Sequence, residues 1–140
     1  VINMIKKEAA KKNISIEVEK KFNGLLVGDK DKFYQVVLNL TTNSIKYSNE
    51  NGNVKIFTNK SKDKFVLMVK DDGIGIPKED LPRIFERFYI VDKSRTSKST
   101  GLGLAIVKHI VKLFNGEIFV ESEVGKGSKF TVISKNVYCE

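Results

Sequence analysis

The chain has 140 residues, which fits one domain with a hydrophobic core of ordinary size. Hydrophobic residues make up 41% and charged residues 30%, as in globular proteins, and no apolar run approaches the ~20 residues of a membrane-spanning helix. The formal net charge is +8, but the lysines are spread along the chain, which favours a solvated surface that attracts polyphosphate over a nucleic-acid interface. No secretory signal pattern is present, and a single cysteine, Cys139, excludes an internal disulfide.

Helical periodicity recurs in four stretches of the sequence. The first is a short amphipathic segment, and the second is long, with Asp29 placed to cap its first turn. The third begins at Pro77 and contains Pro82, so it must kink or restart there. In the fourth, an apolar stripe is formed by Leu102, Ile106, Ile110 and Leu113. The predicted helices cover residues 1–12, 29–48, 77–88 and 100–114.

Alternating apolar and polar residues predict strands between these helices. Residues 61–63 predict a hairpin turn, residues 125–127 a tight turn, and the polar residues 91–100 a mobile loop. We therefore expect an α+β fold: a two-layer α/β sandwich with a mixed, mostly antiparallel five-stranded sheet covered on one face by about three helices. The predicted strands cover residues 14–19, 54–59, 64–70, 117–123 and 129–133.

The long central helix has two faces of different chemistry. Carboxamide oxygens are hard ligands that suit Mg²⁺, and a lysine one turn further on suits phosphate as a point charge. On this helix alone, the simpler interpretation is that such residues face solvent. The apolar stripe consists of Phe33, Val36, Val37, Leu40, Ser44 and Ile45, and the polar stripe consists of Asn39, Asn43, Lys46 and Tyr47.

Three G-x-G triplets lie in separate loops, at residues 73–75, 101–103 and 125–127. A single triplet usually marks only a turn, but glycine also lets the backbone approach a ligand closely. Gly101 and Gly103 lie at the start of a predicted helix, where free N–H groups favour an anion. The sequence is neither a Walker A loop nor a Rossmann turn.

Asp71 ends a predicted strand directly before the first triplet. A carboxylate at this position can accept a hydrogen bond from an amino group such as the exocyclic amine of adenine. For this residue alone, an aspartate that forms a turn is the simpler interpretation. Together with the polar stripe, Asp71 is a candidate adenine-binding residue beside a magnesium–triphosphate site.

Five motifs, in order, resemble the catalytic and ATP-binding domain of sensor histidine kinases. They are NLTTNSIKYS, DDGIGIP, IFERFY, STGLGLAIVKHIV and GKGSKF, which correspond to the N, G1, F, G2 and G3 boxes of that family. The resemblance covers nearly the whole chain and implies the fold shared with the gyrase, Hsp90 and MutL ATPases. It implies one domain over residues 1–140, with an ATP lid at about 87–100, and a phosphoacceptor helical domain outside this chain.

The resemblance also implies individual roles, all for binding ATP and Mg²⁺ and transferring its γ-phosphoryl group. Asn43, helped by Asn39, would hold Mg²⁺, and Lys46 would reach phosphate. Asp71 would bind the adenine amine, and Arg95 would be a lid cation near the γ-phosphate. Nucleotide contacts are implied for Tyr47, Gly73, Ile74, Gly75, Phe88, Thr100, Gly101, Leu102, Gly103 and Leu104, and Phe85, Phe88 and Tyr89 would anchor one end of the lid.

This sequence departs from the family pattern at three positions. Ile90 stands where arginine or lysine is common, so Lys93 or Lys98 would have to replace that lid cation. Ser99 replaces a glycine of the lid, and Ser44 replaces the usual alanine. The only histidine, His109, lies within a predicted helix without a phosphoacceptor signature, so we interpret it as structural.

The resemblance implies a kinase that phosphorylates histidine on a separate dimerisation domain and serves a response regulator, within a membrane-bound parent protein. The fragment itself would be a cytoplasmic monomer. One alternative is an ATPase of the same fold, but that reaction uses a glutamate where this chain has Asn39, a poor base. Another is a basic nucleic-acid-binding module, which would need exposed aromatic residues. We instead predict core positions for Phe57, Phe65, Phe119 and Phe130.

Overall fold

The computed structural model describes residues 2–21, 25–26, 30–61, 64–91, 101–134 and 137–138. Within these ranges no helix is long and apolar enough to span a membrane. The elements, in chain order, are α1 (Ile2–Ala10), β1 (Ser15–Lys21), β2 (Leu25–Leu26), α2 (Lys30–Tyr47), β3 (Asn53–Ser61), β4 (Lys64–Asp71), a short 3₁₀ helix (Leu81–Arg83), α3 (Gly103–Leu113), β5 (Glu117–Glu123), β6 (Gly127–Ser134) and β7 (Val137–Tyr138).

The main sheet has five strands in the order β1-β3-β4-β6-β5. Strands β1 and β3 are parallel, and the other neighbouring pairs are antiparallel. A parallel pair needs a crossover connection, and α2 lies between these two strands in the chain. Strands β2 and β7 form a separate antiparallel pair. The predicted mixed five-stranded sheet and the β3–β4 hairpin are confirmed.

The hydrophobic core lies between one face of this sheet and the helices. In strand β4, successive side chains point to opposite faces of the sheet, so buried residues alternate with more exposed ones. Leu67 and Val69 are fully buried, while Lys70 is exposed. Helix α2 packs against both α1 and α3, as well as β3 and β4. The fully buried side chains of Leu40, Leu67 and Phe130 come from α2, β4 and β6, so helix and sheet share one core.

Two helix predictions differ from the structure. The predicted helix over 77–88 is reduced to turns around a 3₁₀ helix, because Pro82 lacks the N–H that a longer helix needs. Helix α3 buries Val107, Ile110 and Val111, whereas Ile106 is 40% exposed. The predicted stripe lies along one edge of a wide apolar face, opposite the exposed Lys108, His109 and Lys112, so only Ile110 of its members is fully buried.

Further differences concern single side chains. Leu113 of the predicted α3 stripe is 53% exposed. Phe65 and Phe130 are buried as predicted, but Phe57 is only half-buried and Phe119 is 48% exposed. Phe119 alternates with Ile118 and Val120, which pack on the core, so it points to the helix-free face of β5. Predictions for Asp29, the turn residues 62–63, the lid residues 92–100 and Cys139 lie outside the described residues.

Lys12 closes the C-terminal end of α2. Its ammonium donates hydrogen bonds to the backbone oxygens of Ile45, Lys46 and Ser48, at 3.2, 2.8 and 3.3 Å. The last carbonyls of a helix lack partners within the helix and carry partial negative charge, so a cation there stabilises it. This contact fixes the end of α2 from which Lys46 and Tyr47 project.

We expect Lys12→Met to lower the free energy of unfolding by about 2 kcal/mol, because part-buried carbonyls lose a charged donor. Chemical denaturation measures this loss. Lys11→Met is the matched control: Lys11 is exposed and its ion pair with Glu8 spans 3.2 Å at the surface, so a much smaller change is expected. Equal losses in the two variants would contradict the capping role of Lys12.

Candidate functional site

A cavity of about 330 Å³ opens between α2, the loop after β4 and the start of α3. Its volume falls in the range of small-molecule sites, ~300–1,000 Å³. The lining residues combine amides, an ammonium group, glycines and apolar side chains. They are Asn39, Thr42, Asn43, Lys46, Tyr47, Gly75, Ile76, Ile84, Tyr89, Val91, Gly101, Leu102, Gly103, Leu104 and Ile106.

Helix α2 supplies the polar wall of the cavity. Its opposite face is fixed in the core, where Val36 and Leu40 are 2% and 0% exposed. Because these positions cannot rotate towards solvent, the polar stripe is directed into the cavity, where Asn39, Asn43 and Lys46 line one side. The two carboxamides lie one helical turn apart on the same face. Their oxygens are hard ligands that fit Mg²⁺ beside a phosphate chain.

The first turn of α3 faces this polar wall. Leu102 is its N-cap residue, and its side chain supplies no capping hydrogen bond to the first N–H groups of the helix. A Cβ added to Gly103 would lie 3.7 Å from Asn39 Oδ1, so the amide and the helix start are neighbours. Backbone N–H groups and the helix dipole at this position favour an anion.

The loop after β4 is held from both sides. The Ile74 N–H donates to the backbone oxygen of Tyr47 at the end of α2, at 3.0 Å. The Gly125 N–H donates to the backbone oxygen of Ile74, at 2.9 Å. A side chain at Gly73 would collide with the backbone of Tyr47, and Gly75 has a φ of +76°. These contacts place Gly75 and Ile76 in the cavity lining.

Asp71 ends β4 and is only 4% exposed. Its carboxylate accepts a hydrogen bond from the Gly73 N–H at 3.0 Å. Burial raises the pKa of Asp71 above the ordinary value, against the opposing effects of the Gly73 N–H, the Ser44 hydroxyl and the Ser128 N–H. The nearby Ser44 hydroxyl is itself buried and completes no hydrogen bond of normal geometry with any described residue. A buried acceptor beside a buried hydroxyl of this kind can bind a polar ligand edge or a water molecule.

The segments on either side of the predicted lid meet at its base. The Phe88 N–H donates to the Gly101 oxygen at 2.9 Å, which joins the chain before the lid to the chain after it. Phe88 has a φ of +66° and its side chain is 72% exposed, outside the cavity lining. Tyr89 and Val91, which follow it, line the cavity.

Most of the residues predicted for the site surround this one cavity. Asp71, Gly73, Ile74 and Phe88 do not line it, and Arg95 and Thr100 lie outside the described residues. His109 is exposed on α3 and also lies outside the lining. The predicted residues that line the cavity are Asn39, Asn43, Lys46, Tyr47, Gly75, Gly101, Leu102, Gly103 and Leu104.

The structure adds lining residues that were not predicted for the site. Ile76 and Ile84 are 8% and 4% exposed and give the cavity an apolar side suited to a planar ring. Thr42 lies beside Asn43 on α2, and its place next to the polar stripe was a usable signal. Ile84 carried no such signal, because its position depends on turns that the sequence pattern had presented as a helix.

Comparison with known proteins gives one consistent family. Residues 28–136 match the family described as histidine kinase-, DNA gyrase B- and HSP90-like ATPase. Sensor histidine kinase WalK of Bacillus subtilis (strain 168) is 48% identical over 107 residues, which cover 74% of this chain and 18% of WalK. Sensor histidine kinase YclK of the same organism is 36% identical over 137 residues, which cover 89% of this chain and 29% of YclK. The chain therefore spans less than a third of either relative.

Solved structures agree with this assignment. The mycobacterial sensor histidine kinase MprB superposes with a TM-score of 0.82 at 25% identity, covering 99% of this chain and 97% of that one. Full-length ShkA in complex with AMPPNP superposes with a TM-score of 0.84 at 26% identity, covering 99% of this chain and 29% of that one. The chain belongs to the histidine kinase-, DNA gyrase B- and HSP90-like ATPase family, and its ordered motifs and relatives identify it as the ATP-binding catalytic domain of a sensor histidine kinase.

Proposed function

We propose that this domain binds Mg²⁺-ATP in the cavity and transfers the γ-phosphoryl group to a histidine on a separate dimerisation domain. The observation that carries the proposal is that Asn39, Asn43, Lys46 and the first turn of α3 converge on one cavity. Amide oxygens, an ammonium group and free N–H groups are together suited to a metal-bound triphosphate. The apolar side of the cavity offers space for the base.

In this proposal each side chain has a positioning or neutralising role. Asn43, with Asn39, holds Mg²⁺, which when bound neutralises charge on the triphosphate. Lys46 binds a phosphate oxygen, and Asp71 recognises the adenine amine from below the Gly73–Gly75 loop, directly or through a water molecule. Arg95 is proposed as the lid cation near the γ-phosphate. Phosphoryl transfer depends mostly on such positioning and charge stabilisation.

The chemical step needs no strong base from this domain. A neutral imidazole nitrogen forms the new bond to the γ-phosphorus while the bond to the β,γ-bridging oxygen breaks and ADP leaves. A carboxamide at Asn39 cannot accept a proton from water efficiently, so we expect hydrolysis of ATP by the isolated domain to be slow. This difference separates a kinase from an ATPase of the same fold.

The proposal is tested in two stages. First, an ATP analogue is titrated into the chain with Mg²⁺ and then with a chelator, and tighter binding with Mg²⁺ is expected. Second, the chain is mixed with γ-labelled ATP and candidate helical domains that carry a histidine, and acid-labile label is expected on one of these domains. Fast hydrolysis by the chain alone, with no transfer to any helical domain, would favour an ATPase instead.

The wider context is also proposed from the relatives, which are sensor histidine kinases many times the length of this chain. We propose that the parent protein is a membrane-bound sensor that carries its own dimerisation domain and passes the phosphoryl group to a response regulator. The domain by itself is proposed to be monomeric and cytoplasmic. Sedimentation of the isolated chain tests the monomer.

A further inference from the structure

One part of the cavity wall depends on a contact between two side chains, Tyr89 and Asp80, and Asp80 has been given no role so far. Tyr89 lines the cavity, and its hydroxyl donates a hydrogen bond to Asp80 Oδ1. The two residues are nine positions apart and are joined across the turns that surround the 3₁₀ helix. The ring of Tyr89 is therefore tied to the turns around the 3₁₀ helix, close to the start of the predicted lid at about 87–100.

Asp80 is held in place by its backbone. The backbone N–H of Asp80 donates to the backbone oxygen of Pro77, and the backbone oxygen of Asp80 accepts from the Arg83 N–H, both at 2.9 Å. Asp80 is also the N-cap residue of the 3₁₀ helix, a position where aspartate usually bonds to the backbone, yet its side chain makes no capping hydrogen bond. The carboxylate accepts from Tyr89 instead, so it serves the cavity wall and not the helix.

Arg83 restrains the same ring from a second direction. Its guanidinium lies over the Tyr89 ring, 4.4 Å from the centroid, and its Nε donates to Glu86 Oε2 at 2.9 Å. The backbone N–H of Tyr89 in turn donates to the backbone oxygen of Glu86 at 3.3 Å. The hydrogen bond to Asp80 raises the pKa of the Tyr89 hydroxyl, because the bond favours the protonated phenol.

We propose that Asp80 is a positioning residue for nucleotide binding, acting through Tyr89. The inference rests on the proposed function, because it assigns Tyr89 to the nucleotide site. A tyrosine freed from Asp80 populates several rotamers, and only a fraction of the molecules then present the wall that the ligand needs. Apparent affinity falls in proportion to that fraction. Because the contact between Tyr89 and Asp80 is only part-buried, loss of this hydrogen bond corresponds to a decrease in affinity of about three- to tenfold.

The experiment is a double-mutant cycle on the chain with a Mg²⁺–ATP analogue. We expect Asp80→Asn and Tyr89→Phe each to weaken binding by about three- to tenfold, and the double variant to bind no more weakly than the weaker single variant. Glu79→Gln is the matched control, since it removes the same charge from the exposed neighbouring residue and should leave affinity unchanged. Thermal unfolding of each variant accompanies the titration, and Tyr89→Phe, which removes one oxygen atom, provides a test if Asp80→Asn unfolds.

A second measurement reports on the contact without any nucleotide. In the Asp80→Asn variant, NMR of labelled tyrosine should show the pKa of the Tyr89 hydroxyl moving down towards the ordinary value, with no such movement in Glu79→Gln. If the losses of affinity in the two single variants multiply in the double variant, or if the variants bind like the parent, the positioning role of Asp80 is wrong, and the proposed function is unaffected. Failure of the unchanged chain to bind nucleotide would overturn the proposed function, and the positioning role with it.

Discussion

Asn43→Ala is expected to reduce the affinity for a Mg²⁺–ATP analogue by at least about a hundredfold, the largest effect at this site. Asn43 lines the cavity from the middle of the polar stripe, with Asn39 one turn before it and Lys46 one turn after it. Removal of its carboxamide leaves the metal without the proposed central ligand. Isothermal titration with and without Mg²⁺ measures the loss.

The predicted loss of affinity depends on the presence of Mg²⁺, and this dependence is the stricter test of the role of Asn43. In the presence of a chelator, Asn43→Ala and the parent should bind the nucleotide with similar, weak affinity, because the amide acts through Mg²⁺. Asn49→Ala is the matched control, an exposed asparagine just beyond the end of α2. A hundredfold loss that persists without Mg²⁺, or an unfolded Asn43→Ala variant, would contradict the role of Asn43 as a metal ligand.

Asp71→Asn is expected to weaken binding of the ATP analogue by about ten- to a hundredfold and to reduce the preference for adenine over guanine nucleotides. The carboxylate only accepts hydrogen bonds, which suits an amino group, whereas the amide presents a donor on one side. Parallel titrations with ATP and GTP analogues measure both effects. Asp72→Asn is a control for the charge, because Asp72 is exposed and its carboxylate accepts from Asn53 instead.

The same substitution should not destabilise the fold. Because burial raises the pKa of Asp71, the folded protein holds this proton more tightly than the unfolded chain does. The associated stability is present at a pH below the ordinary aspartate pKa and is lost as pH rises through the raised one. An asparagine at this position cannot ionise, so the Asp71→Asn variant does not lose this stability as the pH rises. Its melting temperature at neutral pH should therefore equal or exceed that of the parent. A lower melting temperature together with weaker binding would indicate a structural role for Asp71.

The sequence was most informative where one element has two chemically distinct faces. On α2, the apolar stripe predicted the buried side, and Leu40 lies where the pattern placed it. The polar stripe alone was equally compatible with solvent, and the place of Asn43 in a ligand site was predicted only from the polar stripe together with the other motifs. On α3, Lys108, His109 and Lys112 mark the exposed side. The apolar residues span a wide arc opposite them, and only packing decided that Val107 lies at its buried centre and Ile106 at its exposed edge.

Positions that depend on contacts between distant segments could not be predicted in detail. Asp71 is buried at the end of β4 and does not line the cavity, and the loop that follows it is held between Tyr47 on α2 and Gly125 in the β5–β6 turn. Ile84 enters the cavity because turns replace the helix predicted around Pro82. Neither arrangement has a local signature, since each is decided by residues far apart in the chain.

The contact between Lys12 and α2, together with the pairing of β1 with β3, bears on where this unit can be cut. The family match starts at residue 28, after both α1 and β1. A chain trimmed to that match would lose the ammonium that closes α2 and would expose the backbone of β3 from Asn53 to Asn59 as a bare outer strand. Such a strand invites pairing with other molecules, so the trimmed chain should aggregate on expression even though every predicted ATP-site residue is retained.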